Sequence, residues 1–113
     1  MKEITNRSAI TVYPQKPFKD WAKKYNVIPI EELERRINER HVYLIDWTYD
    51  EGFFDVVEPY YMKIFEYELL SWDTYKNEWP QNRTFEKFLE WFKVELCDDL
   101  FDLESGKITT EKL

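Results

Sequence analysis

Two hydrophobic periods alternate along this chain and divide it into segments. In SAITVY, Ile10 and Val12 fall on one side and Ala9, Thr11 and Tyr13 on the other, the two-residue period of a strand over residues 8–13. The next stretch, PQKPFKDWAKKYN, changes period. Phe18, Trp21, Ala22 and Tyr25 recur at i, i+3, i+4 and i+7, which predicts an amphipathic helix with Pro17 at its first position and Asn26 as its stop. Pro29 opens a second helix, PIEELERRINER, with Ile30, Leu33 and Ile37 as its buried stripe. Glu31, Glu32 and Glu34 lie toward the positive end of its dipole, and Arg36 and Arg40 toward the negative end. HVYLIDW, rich in β-branched and aromatic residues, predicts a strand over 42–47.

A long helix is predicted from Asp55 to Trp72, because Pro59 falls within its first turn, where a missing N–H costs little. TYKNEWPQNR reads as a loop. Thr84 then caps FEKFLEWFKVEL, whose Phe85, Phe88, Leu89, Phe92 and Leu96 share one helical face. DDLFDL predicts a third short strand, and ESGKITTEKL a fraying tail over 105–113. This order of elements predicts an α/β or α+β domain over 1–113, with a sheet of about three strands packed with four helices in one or two layers. The direction of the third strand is left open.

Composition narrows the classes. Aromatic residues make up 19% of the 113 residues, enough to fill a core, while 2 glycines leave no GxGxxG or GxxxxGK[ST] phosphate loop. The net charge of −7 divides into +3 over residues 1–40 and −10 over 41–113. The acidic part disfavours nucleic acid and anionic lipid and favours a basic protein partner. No apolar run approaches the roughly 18 residues of a membrane span, and no secretory h-region opens the chain. Cys97 is the one cysteine, so no intramolecular disulfide forms, and a cytoplasmic protein is expected. With His41 the sole histidine, a His-rich zinc site is excluded, and no metal or cofactor is expected.

LIDWTYDEGFFD carries Asp46, Asp50, Glu51 and Asp55, yet its spacing fails the EF-hand pattern: Thr48, Glu51 and Val57 stand where an acid or Asn, a glycine and a glutamate are required. Turn formation at 50–52 and helix capping by Asp55 or Glu58 account for most of these acids. Asp46 is a site candidate, since it shares a face with Val42 and Leu44 at the carboxyl end of a strand. Glu68 is the second candidate. It falls inside the stripe of Phe54, Val57, Tyr61, Ile64, Phe65, Leu69 and Trp72, and a carboxyl buried there has the environment of a general acid or base. His41 and Arg83 complete the catalytic candidates. Tyr60 and Tyr67 on the opposite flank of the long helix, with Trp91 on the following one, are candidates for binding another protein or a second copy in a homodimer.

NRSAITVYPQKPFKDW near the start and WPQNRTFEKFLEWF near the end together resemble a family of small, uncharacterised bacterial proteins. These open with an Asn-Arg-Ser-Ala strand and a Pro-Phe-x-x-Trp helix, and close with a Trp-Pro-x-Asn-Arg segment leading into an aromatic helix. The resemblance implies a free-standing bacterial cytosolic protein and draws attention to Arg7, Trp21, Trp79, Asn82 and Arg83; it brings no activity or cofactor with it. Two functional readings follow from the sequence. One is a non-enzymatic protein-binding or regulatory domain using an acidic face and aromatic surface. The other is a small enzyme with a carboxylate pocket, Glu68 and Asp46, between the sheet and the long helix.

Overall fold

A computed structural model describes residues 1–25, 28–48, 51–73 and 75–113; the expected helix stop at Asn26 and the Asp50 part of the acidic turn lie outside them. The chain runs β1 (Lys2–Ile4), β2 (Arg7–Pro14), α1 (Lys16–Tyr25), α2 (Ile30–Arg36), β3 (His41–Asp46), α3 (Phe53–Leu70), a 3-10 turn (Lys76–Glu78), α4 (Phe85–Trp91), β4 (Phe92–Cys97) and β5 (Leu100–Asp102). Among the described residues this is an α+β fold with four helices and two antiparallel sheets. One has three strands in the order β3-β2-β4; the other pairs β1 with β5.

Register decides what the main sheet buries. Ile10 stands between Tyr43 and Leu96, and Val12 between His41 and Val94, so one face carries these side chains. Helices cover that face. Phe18 of α1, Phe65 and Leu69 of α3, Phe88 of α4 and Phe92 of β4 are all fully buried. Their rings meet edge-on or tilted, with Phe65 at 5.7 Å from each of Phe88, Trp91 and Phe92. Such pairs add to stability beyond their burial.

Four expectations need correction. The helix predicted over 85–96 ends at Trp91, and its second half is β4. FKVELC also alternates at period two, and pairing with β2 draws Phe92, Val94 and Leu96 onto the buried face, which overrides helical propensity. No loop separates the two elements: Gln15 N donates to Trp91 O at 2.9 Å and the Gln15 side chain to Leu89 O at 3.2 Å, closing the helix end against β2. Second, Ile30 and Phe54 are 69% and 60% exposed, so the stripes on α2 and α3 are narrower than their sequence periods suggest. Third, α3 begins at Phe53 with Gly52 as N-cap and no side-chain cap, leaving Asp55 to act through its charge in the first turn. Fourth, the strand in DDLFDL pairs with β1, a three-residue strand too short to register as a period.

The expected cap at Thr84 is present, its hydroxyl accepting from Lys87 N at 3.1 Å. Thr84→Ala is therefore expected to lower stability by about 1 kcal/mol. Urea unfolding measures this, and an unchanged midpoint would contradict it.

Candidate functional site

The free edge of β3 faces α3 across an open groove of about 680 Å3. Residues 40–45 form one wall, while Tyr60, Lys63, Ile64, Tyr67 and Ser71 recur at helical spacing along the other. Among the described residues β3 pairs with a strand on one side only, so its other edge is open to strand addition. Val42 and Leu44, on the sheet face opposite the helices, are 61% and 56% exposed. Tyr43 on the inner face meets Tyr67 edge-on at 6.2 Å. Leu113, the last residue of an exposed tail, reaches the same groove.

At one end of this groove β3 is fastened to α3 by a polar pair. His41 Nδ1 lies 2.9 Å from both carboxyl oxygens of Glu68. Glu68 is 5% exposed, and burial pushes its carboxyl above the usual carboxylate range, opposed by the hydrogen bond and charge of His41. Tyr43 sits nearby; its own burial first, then the Glu68 charge, holds the phenol well above its ordinary value. Among the described residues the enclosed Tyr43 hydroxyl has no hydrogen-bond partner. When Glu68 is ionised, the bond requires a proton on His41 Nδ1, which the neutral Nδ1–H tautomer and the imidazolium both supply.

An imidazole oriented by a buried carboxylate is the base-and-orienter half of a nucleophilic site. Ser71 borders the same small recess, about 80 Å3, but its hydroxyl donates to the Glu68 carbonyl oxygen at 2.8 Å. The arrangement as it stands anchors the start of β3 to α3.

The structure joins Glu68 and His41 and leaves the other two catalytic candidates apart. The Asp46 side chain is 91% exposed and stands 3.9 Å from Arg7 Nη1. Its position past the last buried residue of β3, Ile45, returns it to water. Arg83 donates to Pro80 O at 2.9 Å, approaches Glu66 at 3.7 Å and lies over the Trp79 ring at 5.7 Å, so it braces the loop before α4. Tyr60 and Tyr67 do line the groove. Trp91 is half-buried against Phe65 and Trp21. Tyr43 and Lys63 were not singled out from the sequence; the alternation that placed His41 and Tyr43 on one face of the strand was the available signal.

Among the described residues, no group of three His, Cys, Asp or Glu side chains converges to hold a metal, and no helix is long and apolar enough to cross a membrane. Comparison with protein-family models, with curated proteins and with solved structures finds no match.

Proposed function

We propose that this protein is a non-enzymatic protein-binding or regulatory domain that receives an extended segment of another protein along the free edge of β3. The observation that carries the reading is the edge itself: a six-residue strand that pairs on one side only among the described residues, with Val42 and Leu44 more than half exposed beside a groove walled by a helix. Soluble proteins usually protect such edges, and strand addition uses the free backbone groups for affinity and neighbouring pockets for specificity. Arg40 and Lys63 line the groove, so at this edge, unlike over the acidic chain as a whole, a segment with acidic residues among apolar ones is the complementary partner. The placement of Leu113 supports an apolar side chain as the kind of group the groove accommodates.

Leu44→Lys tests this without disturbing the core. Partners captured and identified with the wild-type protein are expected to bind the variant at least about tenfold more weakly, and their binding is expected to slow amide exchange in β3. Equal binding, or protection confined to other elements, would count against the reading. Light scattering assigns the segment to a second copy if the wild type is dimeric and the variant monomeric.

A second reading, a small enzyme, rests on the His41–Glu68 pair. It has lost the support of Asp46, which stands in solvent. The two readings separate because Leu44→Lys leaves a reaction dependent on His41 intact.

A further inference from the structure

The segment that the β3 edge calls for, an acid among apolar residues, is found in β3 itself: Val42, Leu44 and Asp46 alternate along it. All three point away from the helices. Arg40, just before the strand, lies on the same face, its guanidinium 5.4 Å from the ring of Tyr13, the residue that follows Val12 and its partner His41 in the ladder.

Two identical strands paired antiparallel are related by a two-fold axis perpendicular to the sheet, passing between one residue and its own counterpart. Residues opposite each other across that axis share a face, so Arg40, Val42, Leu44 and Asp46 of two copies would meet one another. Four axes within β3 can be compared. An axis at Val42 sets Leu44 against Arg40, one at Leu44 sets Val42 against Asp46, and one at Ile45 sets Leu44 against Asp46; each matches an apolar side chain with a charge. The axis at Tyr43 does not. It sets Val42 of each copy against Leu44 of the other, and Arg40 of each against Asp46 of the other: two apolar pairs flanked by two ion pairs.

These side chains are available for such pairing. Among the described residues Arg40 is exposed and forms no ion pair, and Asp46 has only Arg7, at 3.9 Å. On the helix side of the same edge, Tyr60 and Tyr67 line the groove wall, and Tyr67 is 42% exposed. The perpendicular axis carries both α3 helices to one side of the joined sheet, where these tyrosines face the second copy. Leu113 borders the groove but is 96% exposed, so it leaves the edge uncovered.

Resting on the reading of β3 as a docking edge, we propose that its occupant is β3 of a second copy, paired antiparallel about Tyr43. The two three-stranded sheets then form one continuous sheet in the order β4-β2-β3-β3-β2-β4, in which neither β3 keeps a free edge.

Charge reversal tests both the occupant and the register. By symmetry each reversal places two like-charge pairs in the interface, so Arg40→Glu and Asp46→Arg are each expected to weaken self-association at least about tenfold. An equimolar mixture of the two variants is expected to recover it: the introduced glutamate faces the introduced arginine, and the native Asp46 of one copy faces the native Arg40 of the other. Sedimentation velocity over the micromolar range reads all three, and recovery in the mixture shows that both variants are folded. Amide exchange in β3 of the wild type, slowing as concentration rises through the transition, gives a reading that needs no variant. A monomeric wild type, a dimer unmoved by either reversal, a mixture that stays monomeric, or β3 exchange unchanged by dimerisation would each overturn the proposal. Partner capture separates this from the broader reading of the edge. A monomeric wild type that loses a captured partner through Leu44→Lys gives the edge to another protein, whereas self-association and capture both indifferent to Leu44→Lys remove the edge from either role.

Discussion

Alanine in place of Phe88 is expected to remove about 3–5 kcal/mol of folding stability, the usual cost of emptying a large aromatic site in a core. Phe88 is fully buried, with Phe92 at 5.3 Å, Phe65 at 5.7 Å and Tyr61 at 5.9 Å, and Phe85 stacked at 6.5 Å. It is the point where α4, α3 and β4 meet, so the void cannot close without moving α3, which carries one wall of the β3 groove. Domains of this size have about 5–15 kcal/mol in all, so the variant would keep only part of its margin. Urea unfolding followed by circular dichroism measures the change; a loss below about 1 kcal/mol would mean that the aromatic cluster relaxes far more freely than close packing allows.

Replacing His41 by alanine is expected to cost about 2 kcal/mol near neutral pH, because it leaves the enclosed Glu68 carboxylate without its hydrogen-bond donor. The figure is kept below that for a fully buried ion pair because the His41 side chain is 40% exposed. The pH dependence follows from the raised carboxyl. Glu68 holds its proton more tightly in the folded than in the unfolded chain. Its contribution is therefore intact below the ordinary value of 4.5 and declines as pH rises through the window above it. Stability of the wild type relative to Glu68→Gln is thus expected to fall with rising pH from about 4.5. In a His41→Ala background the downward pull on the carboxyl is gone, so the fall should extend to higher pH. Thermal unfolding of the four proteins between pH 4 and 8 reads both effects, and a constant difference across that range would show that Glu68 titrates as an ordinary surface acid.

Glu68 was legible in the sequence because it interrupts an apolar helical stripe, and local periodicity is enough to place a residue on a face. Its partner was not. His41 lies 27 positions earlier and reaches Glu68 only through the packing of β3 on α3. The strand at 8–13 and the helix begun by Pro17 were legible for the same local reason as Glu68, and the strand's two ends and the helix's start are each shifted by one residue. FEKFLEWFKVEL shows the limit. Phe85, Phe88, Leu89, Phe92 and Leu96 fit a helix, Phe92, Val94 and Leu96 fit a strand equally well, and only pairing with β2 decides.

Trp91 closes a helix and Phe92 opens a strand with nothing between them, so the rotational phase of one is inherited by the other. Adding a single residue at this seam would rotate the outgoing segment by half its repeat, turning Lys93, Glu95 and Cys97 toward the rings and Phe92, Val94 and Leu96 toward water. Changes in chain length are thus poorly accommodated here unless a second change restores the phase, and the seam acts as the fixed point from which the rest of the sheet is dialled.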